Sequence, residues 1–242
     1  MQYFNDFPNI FYKFGDEVNS VVYQNLSLYS DVVDQVKDGI TFLNVHTIQE
    51  GFRPDQVSIQ LYGTPFYYWT FYVLNDDLRE QGWPLPNHEL IPYIKKILPN
   101  TVVNTRDEFA TKFKVGQTIS GGTSSSTGKI IRRDLNLGKL TIEGDVAFSA
   151  GGELFTSVNS DGVSETLTGI STVKEYQSTS HYVDGSGAIV DIDPQAGPGA
   201  LLTEKTYENV YFNVNESLRQ IKVIKPSQIN SLVTSFKKSI RS

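Results

Sequence analysis

The feature that most constrains this chain is a change of alphabet in its middle. Between about Asp107 and Gly169 the sequence turns to Gly, Ser, Thr and β-branched residues, the profile of short strands joined by tight turns, while apolar residues at helical spacing lie on both sides. Such a chain has to build an all-β module and then return to finish something else. Inside the block, Phe113-Lys114-Val115-Gly116-Gln117-Thr118-Ile119 lines up with Phe148-Ser149-Ala150-Gly151-Gly152-Glu153-Leu154 at an offset of 35 residues, and a Ser/Thr/Gly-rich turn follows each copy. Two copies are too few for a solenoid and predict paired hairpins within one small barrel or sandwich. With ends near Thr105 and Tyr176 that can lie close together, the module reads as an insertion.

The flanks carry the rest of the pattern. Tyr3, Phe4, Phe7, Ile10, Phe11, Tyr12 and Phe14 crowd around Pro8 with neither a helical nor a strand period, which predicts an extended arm. Aromatics so dense at a terminus need a core or a partner to lie on, so Phe4, Phe7, Phe11 and Tyr12 are contact candidates. Leu28, Val32, Val33 and Val36 predict a helix stopped at Asp38-Gly39, and a strand is expected from Ile40 to Ile48. Pro54, Val57, Leu61 and Tyr62 mark a helix ended by Gly63. A second helix starts near Thr64-Pro65 and carries Tyr68, Trp69, Tyr72 and Val73 to Leu74-Asn75. Gly82-Trp83-Pro84-Leu85-Pro86 breaks regular structure, residues 89–98 fit a Pro92-interrupted helix or a strand, and residues 177–200 read as loop. Order returns with a strand holding Ile221 and Val223. A helix follows, with Ile229, Leu232, Val233, Phe236 and Ile240 in one stripe. The fold class expected is α+β.

Charge and residue usage remove several function classes. The net charge of -6, from 21 basic and 27 acidic residues, argues against nucleic acid as the main partner. With 39% hydrophobic and 20% charged residues the chain should fold, and no apolar run is long enough to span a membrane. The first residues lack a basic and apolar leader, which predicts a protein kept in the cytoplasm where it is made. No cysteine is present, so disulfides, thiolate metal sites and cysteine nucleophiles are excluded.

The remaining chemistry is sparse. Residues Gly122 to Lys129 look like a phosphate-binding loop, but five residues separate Gly122 from Gly128 where the motif has four, and Ile130 stands where a Ser or Thr should bind magnesium. A hairpin turn is the expected reading. His181, Asp184, Asp191 and Asp193 match no zinc or calcium spacing and read as a solvated loop; His46 falls in a strand and His88 after a Pro-Asn turn. No nucleophile, base and carboxylate trio stands out, so neither enzyme activity, metal nor cofactor is expected. In the run Phe66-Tyr67-Tyr68-Trp69 with Phe71 and Tyr72, helical spacing favours a core or a protein interface over a platform for sugars. Tyr67, Tyr68 and Trp83 join the interface candidates.

Residues Arg53 to Pro65 with Tyr68-Trp69 and Leu74-Asn75 resemble the helix-helix half of a LysM module, a family that binds N-acetylglucosamine glycans. The Pro-Gly-Gln signature of a LysM second strand is missing after Asn75, so the resemblance implies the fold alone. A closer likeness joins Leu61-Tyr62-Gly63, Tyr68-Trp69, Leu74-Asn75-Asp76 and Gly82-Trp83 to the end Leu218-Arg219-Gln220-Ile221-Lys222-Val223-Ile224 and Ser227-Gln228-Ile229-Asn230-Ser231. Together these resemble the LysM-like baseplate wedge proteins of contractile-tailed phages (myoviruses), over residues 1–100 and 204–242. The resemblance implies an N-terminal arm and helix (1–39), a LysM-like domain (40–105), an inserted β-barrel or sandwich (106–176), and a connecting loop with the C-terminal strand-helix (177–242). Leu61, Tyr62, Gly63, Trp69, Asn75, Ile221, Val223 and Phe236 are then fold residues. It also implies a virion protein of the tail baseplate, assembled in the host cytoplasm from other wedge and inner-baseplate proteins. The alternative is a peptidoglycan-binding module of a phage or cell-wall-associated protein.

Overall fold

The computed structural model describes residues 7–16, 18–25 and 31–241, so Tyr3, Phe4, Leu28 and the side chain of Val32 lie outside the described residues. Helices and strands take comparable shares in small separate sheets, an α+β fold. Two compact units are formed, residues 1–86 with 215–242 and residues 87–214. The first unit opens with β1 (Asn9–Tyr12), β2 (Val21–Gln24), α1 (Asp31–Asp38) and β3 (Leu43–Thr47), then α2 (Pro54–Tyr62), α3 (Trp69–Leu74) and α4 (Asp76–Gln81). The second holds α5 (Asn87–Ile97), β4 (Thr101–Thr105), β5 (Thr118–Gly121), β6 (Thr127–Asp134), β7 (Lys139–Ile142), β8 (Leu154–Val158) and β9 (Ser164–Lys174). After β10 (Thr179–Val183), β11 (Ile189–Val190) and β12 (Thr203–Thr206), helix α6 (Tyr207–Ser217) carries the chain across the boundary. It ends in β13 (Gln220–Ile224) and α7 (Ile229–Arg241).

The first unit is closed by its own C-terminus. β13 pairs antiparallel with β3, Lys222 opposite Val45, so the strand that completes the small sheet arrives only after the whole second unit has been made. Helix α2 starts at Pro54, which needs no amide partner in a first turn, while Gln56 Oε1 accepts the Arg53 N–H at 2.9 Å. It stops at Gly63, whose φ of 71° lets its N–H reach the Ile59 carbonyl. α3 follows one 3-10 turn later and divides its side chains between two cores. Trp69 and Leu74 join Phe7, Val33, Ile224, Val233 and Phe236, whereas Phe71 joins Val57, Leu78, Ile221 and Val223. The apolar stripe of α7 is buried at Ile229, Val233, Phe236 and Ile240, with the Phe236 and Trp69 rings 5.2 Å apart. Burying each such side chain contributes roughly 1.5–3 kcal/mol, which is why a short strand and two short helices hold together.

In the second unit six strands close a barrel in the order β4, β7, β6, β5, β8, β9 and back to β4. Its first strand is Thr101–Thr105, ahead of the boundary expected at 106, because Val102 and Val103 pair with both β7 and β9. Val103, Ile119, Ile130, Leu140, Ile142, Phe155 and Leu167 fill the interior, and Phe113 and Phe148 are buried with them. The 35-residue repeat thus returns as two Phe-turn-strand units on neighbouring strands, but out of register by one residue. Ile119 is fully buried, while its counterpart Leu154 is 51% exposed and Phe155 points inward instead.

The loop expected over residues 177–200 is corrected in part: β10 pairs with β11 and β12 in a three-stranded sheet, the Asp184-Gly185 turn making the hairpin. Residues 89–98 are helical, with Pro92 inside α5. The strand expected from Ile40 begins only at Leu43, after a 3-10 turn over Ile40–Phe42.

Candidate interaction surfaces

The N-terminal arm folds back on itself. β1 and β2 form an antiparallel hairpin, Phe11 opposite Val22, and the Asn25 N–H closes it on the Pro8 carbonyl at 2.8 Å. Phe7, just before the hairpin, is a core residue of the chain itself. Beyond it the strands are exposed on both faces. Phe11 is 74% exposed, and Tyr12, Phe14, Val18, Val21, Val22 and Tyr23 are exposed too. Phe14 meets Tyr12 edge-on at 4.9 Å and Tyr23 at 5.9 Å, so part of the aromatic surface is fixed in shape. A two-stranded hairpin is marginal alone in water, and this one shows no sheet or helix covering either face among the described residues.

The aromatic candidates on the helices are placed differently. Tyr67, half-buried, donates its hydroxyl to Asn230 Oδ1 at 2.6 Å and packs edge-on against Tyr62. Tyr68 is half-buried against both cores. Trp83 donates its indole N–H to the Phe52 carbonyl at 2.7 Å and lies 6.0 Å from the rings of Phe71 and Tyr72. Tyr67 and Trp83 have their polar ends satisfied within the chain and Tyr68 packs on its cores, so these three brace the fold.

The fold residues make the sheet specific. The Asn75 side chain lies along the outer edge of β13 and copies a strand: its Nδ2 donates to the Lys222 carbonyl at 2.9 Å and its Oδ1 accepts the Lys222 N–H at 2.8 Å. The Tyr62 hydroxyl donates to the Ile224 carbonyl on the same edge at 3.0 Å, and burial pushes its pKa up to about 12. Leu61 packs against the core that holds Ile221 and Val223. Where the chain leaves and re-enters the first unit, Asn215 Oδ1 accepts the Leu85 N–H at 2.8 Å and Nδ2 donates to the Leu85 carbonyl at 2.9 Å.

The phosphate-loop lookalike does hold an anion, one from its own chain. The backbone N–H groups of Thr123 and Ser124 and the Ser124 hydroxyl donate to the buried Glu153 carboxylate at 2.7–2.8 Å, and the Ser149 N–H adds a fourth bond at 2.9 Å. Burial alone would raise the Glu153 pKa, but these donors bring it down to about 2. Glu165, opposite Ser157 on β9, does similar work, accepting the N–H of Phe113, whose φ of 50° is unusual for a residue other than glycine. Sequence reasoning missed both carboxylates. The signal for Glu153 was there, in an acidic residue placed after Gly151-Gly152 and a Ser-rich loop short of any cation.

Among the described residues no group of three His, Asp or Glu is placed to hold a metal. Asp184 instead accepts the N–H groups of Ser186 and Ala188 in its turn, Asp193 caps the Gln195 N–H, and His181 Nδ1 contacts Ser180 Oγ at 3.2 Å. Asp191 lies just after β11. His88 is exposed beside Glu89. His46 on β3 has a buried Nε2 with no hydrogen-bond partner among the described residues, and burial lowers its pKa, favouring the neutral ring. No helix among the described residues is long and apolar enough to cross a membrane. A scan of the sequence against models of known protein families matches none of them, and a search of curated proteins finds no relative.

Proposed function

We propose that this chain is a structural component of a contractile phage tail, a baseplate wedge subunit that binds other wedge proteins and helps join wedges around the hub. The observation that carries the reading is the N-terminal hairpin: an aromatic-rich pair of strands next to the core residue Phe7 and, among the described residues, covered on neither face. A monomer seldom keeps a patch of that kind unless another protein buries it. The strand-helix-helix arrangement finished by a C-terminal strand, which the wedge likeness leads one to expect, agrees with this reading.

The alternative of a glycan-binding module draws less support. Its stacking platform would come from Tyr67, Tyr68 and Trp69, and these side chains are half-buried or buried in the chain's own cores. The test is composition. The chain should copurify with contractile tails at a copy number that is a multiple of six, and its absence from purified tails would reject the proposal.

A further inference from the structure

The two edges of the small β3–β13 sheet are treated differently. The Ile48 N–H donates to the Arg219 carbonyl and the Lys225 N–H to the Phe42 carbonyl, which fixes the even-numbered residues of β3 as those that bond to β13. On β13 the outward-facing backbone groups belong to Gln220, Lys222 and Ile224; Asn75 bonds both groups of Lys222, and Tyr62 bonds the carbonyl of Ile224. On β3 they belong to the odd-numbered residues, and among the described residues nothing bonds to the N–H or C=O of Val45. The Val45 side chain is 75% exposed.

The edge is short, but lacks the sequence devices that usually protect one. Leu43-Asn44-Val45-His46-Thr47 has no lysine, no proline and no register shift, and the one titratable group in it is held towards neutrality. Apolar surface also runs from the core outwards along the strand, because Leu43, on the Val45 side, packs against the first core.

We propose that the open edge of β3 is a strand-addition site for an extended segment of another protein. Backbone pairing to Val45 and Thr47 would hold it, and alternate branched apolar side chains would sit beside Val45 and Leu43. A second copy of this chain fits poorly: two five-residue edges bury far less than the roughly 1,200 Å² of a stable interface, and a net charge of -6 opposes self-association. A partner segment can continue past the edge and gather the missing area elsewhere. The inference concerns the edge alone and holds whether or not the assembly is a tail.

The test titrates the 15N-labelled full chain with a blocked peptide, Glu-Thr-Val-Thr-Val-Thr-Lys, and with the same peptide N-methylated along its bonding edge. The expected result is saturable shifts at the outward amides of Val45 and Thr47, with their hydrogen exchange slowed at least tenfold. The methylated peptide should do nothing, and Val45→Lys should weaken binding at least tenfold with an unchanged melting temperature. No response at millimolar peptide, an equal response to the methylated peptide, or shifts elsewhere would overturn the proposal. So would protection of Val45 that grows with the concentration of the chain alone, since that would assign the edge to a second copy.

Discussion

The hairpin β1–β2 and the barrel β4–β9 are built from the same kind of antiparallel pairing, yet they end in opposite states. The barrel closes on itself, so each of its six strands has two neighbours and its Phe and Ile side chains share one interior. The hairpin has two strands, no further strand on either edge among the described residues, and aromatic side chains on both faces. Closure removes the templates on which other chains dock, and an open pair keeps them. On this account the barrel needs no partner strand, while the hairpin and the edge of β3 are where the proposed contacts with other proteins would fall.

The largest effects should come from emptying either core, and they can be told apart. Both tryptophans, Trp69 and Trp83, lie in the first unit, so their fluorescence reports that unit alone. Phe155→Ala should cost about 3–5 kcal/mol in the barrel, lowering the melt followed by circular dichroism while the tryptophan melt stays in place. Phe236→Ala should cost a similar amount and move the tryptophan melt, because the ring packs on Trp69. If Phe155→Ala shifts both melts equally, the units share one cooperative transition and the contrast fails.

Glu153→Gln should cost the barrel about 1.5–3 kcal/mol at neutral pH, the range for hydrogen bonds to a charged group. The folded pKa near 2 lies below the ordinary 4.5, so this stability is fully present above pH 4.5 and is lost as the pH falls towards 2. Wild type and variant should therefore converge in acid, and a difference that persists at pH 2 would show that packing was lost instead. A smaller loss, about 1–2 kcal/mol, is expected for Asn75→Leu, which frees the outer edge of β13. Amide exchange at Lys222 reads it directly.

Much of this architecture was legible because the periodicities were strong. The α7 stripe, the α2 stop at Gly63 and the strand holding Ile221 and Val223 all follow from local pattern, and each is where that pattern puts it. What escaped depends on contacts distant in sequence. The hairpin was hidden because its strands are apolar on both faces and show no alternation. Trp83 and Tyr67 looked like surface residues until Phe52 and Asn230 supplied partners 31 and 163 positions away. The sheet β10–β12 was overlooked although Asp184-Gly185 is a strong hairpin signal, since its third strand lies beyond a turn-rich stretch.

The most direct test of the contrast is Phe11→Ser combined with Tyr12→Ser. Both side chains are exposed, so the melting of the isolated chain should move by no more than about 0.5 kcal/mol. Incorporation of the variant into tails, measured against wild type in the same preparation, should fall by at least tenfold. Normal incorporation would contradict the hairpin as the docking element, and so would a collapse of the monomer's own stability.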